Sequence, residues 1–416
     1  MTVQPENLQV PSTTDSQALP AVADLSIIGG AGHVGLPLGL VFADCGLRVQ
    51  INDINDASLE TIQGGTMPFE EVGAQPLLEK MLAEGRMSFT TDPSAIAEVP
   101  IVVVTIGTPV DEFLNPDTKV MKRWADASIP HLRDGQLVIL RSTVYPGTTA
   151  WLDSYIREAG KKINLAYCPE RIVQGFAVDE LRKLPQIVSG TTPEAAQAAA
   201  KVFERIAPSV VTLEPLEAEF AKLFTNAYRY IQFAAANQFY MIANSAGVDY
   251  AKILRGLKED YSRARDIPGA GYAAGPCLLK DTMQLAAFSQ NQFTLGNSAM
   301  LVNEGLVLYV VKEMQNRYDL ENMTVGLLGM AFKADCDDAR SSLSYKLMKT
   351  LQFHAKDVLT NDPHVMDDDQ LSPLDEVVER SDVLILCVPH SDYRKLDTGG
   401  KPVVDVWDFL GQGSII

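Results

Sequence analysis

The chain has 416 residues, 46% of them hydrophobic, enough to bury two or three domain cores. A formal charge of −18 argues against a nucleic-acid partner, since phosphate would be repelled, yet one local basic pocket suffices for a nucleotide. Five scattered cysteines (45, 168, 277, 336 and 387), odd in number and without a C-x-x-C pair, exclude a disulfide framework and a zinc site and suit a reducing cytoplasm.

Residues 1–22 are polar, with no basic n-region and no apolar h-region, and read as a disordered tail rather than a signal peptide. Asp24-Leu-Ser-Ile-Ile-Gly-Gly is the pattern of a buried parallel strand. It leads through Gly30-Ala-Gly32-His-Val-Gly35 into an apolar helix, so G-x-G-x-x-G stands in the strand–turn–helix context that a dinucleotide fold needs. A second strand, 48–52, ends at Asp53, eighteen residues after Gly35. A carboxylate there accepts hydrogen bonds from a ribose and repels a 2′-phosphate, which favours NAD over NADP. Further strands are predicted at 101–106, 137–141, 164–168 and 186–189, alternating with helices as in a doubly wound parallel sheet. Their C-terminal ends carry Ile106-Gly-Thr-Pro109, Arg141-Ser-Thr-Val-Tyr-Pro-Gly-Thr148 and Cys168-Pro-Glu-Arg171, the places where such sheets keep ligand groups.

From about 217 to Ser245 no Pro or Gly interrupts an Ala-, Phe- and Tyr-rich run. A helix of about thirty residues is about 45 Å long, which predicts a bridge between domains and a surface for a second subunit. Gly271-Tyr-Ala-Ala-Gly-Pro-Cys-Leu-Leu-Lys-Asp281 then places a lone cysteine after a glycine-rich loop and before Lys280 and Asp281. That pattern suits a nucleophile held against a ligand, or else a buried structural cysteine at a loop-to-helix junction. From about 323 a second alternating unit begins, with strands at 324–329, 357–360 and 382–388 and a helix near 341–354. Gly329-Met-Ala-Phe-Lys333 is not G-x-G-x-x-G, so a repeated architecture with a different ligand is expected. No apolar stretch is long and uninterrupted enough to span a bilayer.

Taken together, the glycine fingerprint, Ser142-Thr-Val with the following Gly147-Thr148, Pro169-Glu170, Lys222-x-x-x-Asn226, Gly275-x-Cys277-x-x-Lys280-Asp281 and Phe332-Lys333-x-x-x-x-Asp338-x-Arg340 resemble, in order, the pattern of the UDP-glucose/GDP-mannose (nucleotide-sugar) 6-dehydrogenase family, from about residue 24 to about 410. The resemblance implies an α/β fold of two Rossmann-like, doubly wound domains joined by a long central helix that also forms a homodimer. The expected divisions are a tail (1–22), an NAD-binding domain (23–212), a central helical domain (213–318) and an NDP-sugar domain (319–416). It implies NAD-dependent, four-electron oxidation of the C6 hydroxymethyl of an NDP-hexose to a carboxylate through a thiohemiacetal and a thioester on Cys277. Lys222 and Asn226 would face the C6 oxyanion. Asp281 and Thr143 would orient water or Lys222, and Glu170 would serve as acid or base. The cofactor would meet Gly30, Gly32, His33, Val34, Asp53, Thr108 and Thr143. The sugar nucleotide would meet Glu170, Arg171, Lys222, Asn226, Gly275, Lys280, Phe332, Lys333 and Arg340, and Arg263 or Arg265 would reach a neighbouring subunit's site.

Pro169-Glu-Arg171 and Gly275-Pro-Cys-Leu278 look like the branch acting on UDP-N-acetylhexosamines, where Arg171 would contact the acetamido carbonyl. Three departures point to an altered pocket: Ala274 where the family has Gly, Gln174 where it has a second carboxylate, and Arg340-Ser-Ser in place of Arg-Glu-Ser. UDP- or dTDP-glucose is the alternative substrate. A two-electron 3-hydroxyacid-type dehydrogenase would need neither Cys277 nor a second Rossmann-like domain, and a catalytically silent binding protein would not need the intact catalytic set.

Overall fold

The computed structural model describes residues 23–111, 116–117 and 119–416. The predicted tail lies outside them. The first sheet contains β1 (Leu25–Ile28), β2 (Val49–Asn52), β3 (Met87–Thr90), β4 (Ile101–Val104), β5 (Leu137–Leu140), β6 (Asn164–Tyr167), β7 (Gln186–Gly190) and β8 (Val210–Thr212), in the order β3-β2-β1-β4-β5-β6-β7-β8. Its central strands are buried on both faces, which is why they read as unbroken Val, Ile and Leu. The order reverses between β1 and β4, so a crevice opens beyond their carboxyl ends.

The pairings are parallel except for β6 with β7, where Ala166 faces Gly190 in an antiparallel bridge. The alternation had implied a parallel return. After β6 the chain first forms a loop over the strand ends and then a helix of only seven residues, Ala177–Lys183. Such a helix climbs about 10 Å, too little for a full crossover.

The helix Pro215–Ser245, 31 residues, matches the expected central helix. Pro215 occupies its first turn, and Glu214 and Glu217 form a reciprocal capping box. Near its start, buried Glu219 accepts hydrogen bonds from Gly147 N (2.6 Å), Thr149 N (2.8 Å) and Thr149 Oγ1 (2.6 Å), fastening it to the first sheet. Near its end, Asn244 accepts from Ile416 N (2.9 Å), fastening it to the C-terminal half.

The second sheet contains β9 (Thr324–Leu328), β10 (Asp357–Asn361), β11 (Val383–Leu386) and β12 (Val403–Val404), all parallel, in the order β10-β9-β11-β12. It repeats the β2-β1-β4 order of the first. The repeat extends to a bracing acid: Asp53 Oδ2 accepts from Ala31 N (3.0 Å), and Asp362 Oδ2 accepts from Met330 N (2.6 Å) and Ala331 N (2.8 Å).

One helix, Thr294–Arg317, has the length and mean hydropathy (1.2 over its most apolar window) that a membrane span requires, against the expectation that no stretch would. It packs along the central helix and against the helix Leu343–Leu351. Its fully buried Asn303 bonds Asn237 and the Tyr230 carbonyl. The helix is thus packed against protein along one face, while Leu295, Leu301 and Leu308 remain exposed.

Candidate active site

The glycine loop follows β1. A Cβ on Gly30 would meet Ile27 O at 2.6 Å, and one on Gly35 would meet Gly30 Cα at 2.6 Å, so both positions exclude any side chain. A Cβ on Gly32 would meet nothing nearer than 3.7 Å, which leaves open space above the loop. That surface, with Asp53 beside it, fits a dinucleotide pyrophosphate and ribose. Thr105 Oγ1 ties the switch point together by donating to Ile28 O (2.8 Å) and Gly29 O (3.0 Å). A cleft of about 840 Å³ runs from Ala31, Gly32, His33 and Asp53 to Asp337, Asp338, Arg340 and Tyr345 of the C-terminal half.

Cys277 is the N-cap of the helix Leu278–Phe288, and the loop before it presses on the second half. Gly275, at φ +99°, donates its N–H to Ser341 O (3.2 Å), and a Cβ there would meet the Phe332 ring at 2.5 Å. Phe332 therefore covers the backbone of the cysteine loop. Ala274 packs against the core of the C-terminal half.

Cys277 is open to solvent, yet protein crowds it from the other sides. Burial and then the Asp281 carboxylate push its thiol above the ordinary value, while Lys280, Lys222 and Arg340 pull the other way. Three cations and one carboxylate therefore act on this thiol, and burial with the carboxylate outweighs the cations. Asp281, fully buried, accepts from Asn226 Nδ2 at 2.6 Å, and its Oδ1 has no hydrogen-bond partner. Lys280 Nζ lies 3.5 Å from that Oδ1 and 3.5 Å from Thr108 Oγ1. Thr108 Oγ1 in turn donates to the Thr143 carbonyl. Lys222 is half-buried. Asn226 is thus committed to Asp281, and Lys222 of the central helix acts on the thiol through its charge.

Glu170 sits differently. Its Oε2 takes a hydrogen bond from the fully buried Arg141, and its Oε1 accepts from Arg171 N (2.7 Å) and Ile172 N (3.0 Å). Both oxygens hold the loop after β6, with no base-like freedom in this state. The Arg171 guanidinium donates to Pro185 O, and Arg263 is exposed over the Tyr261 ring. Lys333 lies over Phe176 at 5.7 Å. Arg340 grips Asp338, with Nε 2.9 Å from Oδ1 and Nη2 2.6 Å from Oδ2, and remains 63% exposed.

Sequence reasoning missed Arg141, Asp337, Asp338 and Phe69 as site residues. Arg141 stood in a strand-end loop singled out for ligand groups, and Asp338 belongs to the Asp-x-Arg run. Asp335, His364 and His390 bring ligand atoms within 4.8 Å of one another. All three residues already have protein partners: Ser391 N on Asp335 Oδ1, Glu70 and Asp392 on His364, and Asp335 N and Asp362 on His390. The cluster is a hydrogen-bonded clasp that also joins Glu70 of the first half to the second.

Sequence profiles of the UDP-glucose/GDP-mannose dehydrogenase family match its NAD binding domain at residues 23–207, its central domain at 216–305 and its UDP binding domain at 326–412. The chain is 28% identical over 398 residues to an NDP-N-acetyl-D-galactosaminuronic acid dehydrogenase of Ralstonia solanacearum, covering 90% of this chain and 92% of that one. It is 27% identical over 375 residues to a UDP-N-acetyl-D-mannosamine dehydrogenase of Methanocaldococcus jannaschii, covering 88% and 86%. Among solved structures, a UDP-glucose dehydrogenase from Pyrobaculum islandicum superposes with a TM-score of 0.86 at 26% identity, covering 95% and 96%.

Proposed function

The chain belongs to the UDP-glucose/GDP-mannose dehydrogenase family and is an NAD-dependent nucleotide-sugar 6-dehydrogenase; from that premise we propose that it oxidises C6 of a UDP-N-acetylhexosamine to the uronate through a covalent adduct on Cys277. The observation that carries the covalent route is the accessible Cys277 thiol set among Lys222, Lys280, Asp281 and Arg340. The N-acetylated sugar is supported by Pro169-Glu-Arg171 and Gly275-Pro-Cys-Leu278, and by the relatives named for such sugars.

NAD⁺, held by the glycine loop and Asp53, would supply the hydride acceptor for C6, one NAD⁺ for each of the two oxidations. Between them the Cys277 thiol gives its proton to water and forms an S–C bond to the aldehyde carbon, and the carbonyl electron pair moves onto oxygen. Lys222 is the cation offered to that oxygen, and Asn226 holds Asp281 in place beside it. Loss of the second hydride leaves a thioester. Water then breaks the C–S bond, returning the thiol and releasing a carboxylate and one proton. Thr143 and Thr108 line the approach of Lys280, and Glu170 is the proposed acid or base for the hydrolytic step. Arg340 and Lys333 supply fork and point charge for the diphosphate.

A panel of UDP-N-acetylmannosamine, UDP-N-acetylglucosamine, UDP-N-acetylgalactosamine, UDP-glucose and dTDP-glucose with NAD⁺ tests this. The expected result is two NADH per sugar and the highest kcat/KM on an N-acetylated substrate, since a site that hydrogen-bonds an acetamido group rejects a plain hydroxyl. A better kcat/KM on either glucose nucleotide would sink the sugar assignment, and one NADH per sugar would sink the four-electron course. A homodimer is supported by Phe224, Tyr228 and Ile242 of the central helix and Leu301 of its neighbour, each more than half exposed. Light scattering should return the mass of two chains, and a single-chain mass would exclude it.

A further inference from the structure

Gln174 lies in the loop after β6, between two segments that belong to different halves. Its Nε2 is 3.1 Å from His33 Nδ1 in the glycine loop and 3.2 Å from Asp338 Oδ2 in the C-terminal half. The neighbouring backbone is pinned to the same place, with Gly175 N donating to Glu71 Oε2 (2.9 Å) and Glu70 N donating to Asp337 Oδ2 (2.8 Å).

The chemistry of the three groups leaves one arrangement. Burial alone would raise the Asp338 carboxyl, but hydrogen bonds from Arg340 outweigh it and hold Asp338 below its usual range, so Asp338 is ionised and only accepts. The Gln174 atom facing it must therefore be the amide nitrogen. The same NH₂ group faces His33, so His33 Nδ1 must accept, and the ring proton of the neutral imidazole must sit on Nε2. His33 is kept neutral chiefly by burial, which pushes its pKa down; Asp338 and Asp337 pull it up, and Arg340 and Lys333 pull it down again. The Phe69 ring, 4.0 Å away, covers the imidazole. Among the described residues no partner meets Nε2, and His33 lines the cleft beside Gly32 and Asp53.

We propose that Gln174 is a positioning residue for the cofactor: it fixes the tautomer of His33 so that Nε2–H is offered as a hydrogen-bond donor to the dinucleotide pyrophosphate. The same amide makes this donor depend on Asp338, and hence on the half that takes the sugar nucleotide. A glutamate in this place could not serve, because a carboxylate would face Asp338 and offer His33 no proton. The departure at position 174 is thus matched to His33 and Asp338 as a set. The inference rests on cofactor binding at the glycine loop and not on the identity of the sugar.

The test is Gln174→Met, which keeps the length and removes both N–H groups. NAD⁺ binding by calorimetry, without any sugar, should weaken by about tenfold. The chain has only five histidines, so ¹⁵N-histidine labelling resolves the His33 ring, assigned against His33→Asn. The wild-type ring should show the single Nε2–H tautomer, and the Met variant should lose that preference. Unchanged NAD⁺ affinity in a folded Gln174→Met protein, or an Nδ1–H tautomer in the wild type, would overturn the proposal. If the variant does not fold, the wild-type spectrum decides alone. A wrong sugar class would leave both readouts untouched.

Discussion

Cys277→Ser is expected to cut uronate formation by about a thousandfold or more, the scale seen when a nucleophile is removed from a preorganised site. The NADH yield should fall from two per sugar to at most one, because a serine hydroxyl stays protonated near neutral pH and adds poorly to the aldehyde. The thiol itself is expected to titrate above the free-cysteine value, since burial and Asp281 raise it more than Lys280, Lys222 and Arg340 lower it. Alkylation of Cys277, followed by peptide mass, should therefore accelerate with pH through a midpoint above about 8.5. Lys222→Met removes a lowering charge and should move that midpoint further up. Wild-type uronate formation by Cys277→Ser would eliminate the covalent route.

What the sequence made legible is local. β4 and β5 announce themselves because strands buried on both faces read as continuous apolar runs, and β1 and β2 because each leads into a ligand-loop signature, the glycine fingerprint and Asp53. The fingerprint glycines read out because two of them admit no Cβ and the third opens onto ligand space. The central helix was visible as a run from about 217 to Ser245 without a breaker. β3, β8 and β12 were missed for the opposite reason: β3 and β8 are sheet edges with half-exposed or exposed side chains, and β12 has two residues. The antiparallel turn into β7 depends on how far a seven-residue helix can climb, which no apolar pattern records.

The parts of the site that were not legible join residues far apart in the chain. His33 and Gln174 are separated by 141 positions, Gln174 and Asp338 by 164, and Glu70 and His364 by 294. Motif spacing names such residues singly and cannot say which of them spend their charges on each other. Arg340 shows the difference. Its motif implies a diphosphate contact, whereas the structure first pairs it with Asp338, so a phosphate must compete with that carboxylate or share the exposed side of the guanidinium.

Glu170 is the sharper case, and Glu170→Gln is expected to have two separable effects. The first is on stability. Arg141 is fully buried, with Cys168 O and Gln186 Oε1 each at 3.1 Å as its remaining partners. An amide at 170 keeps an oxygen for Arg171 N and Ile172 N but turns its NH₂ towards the guanidinium, leaving a buried charge uncompensated. Breaking such a pair costs about 3–5 kcal/mol, and thermal melting of the free protein should report it. The second effect is on turnover. An amide cannot take a proton from water attacking the thioester, so a burst of NADH should precede a slow steady state, with a sugar adduct on Cys277 visible by intact mass. Melting and mass separate the roles, since a residue that only braces the loop would lower the melting temperature and leave no adduct. That second outcome would assign Glu170 to Arg141 and return the hydrolytic proton to Asp281, whose Oδ1 is the buried carboxylate oxygen near Cys277 with no hydrogen-bond partner.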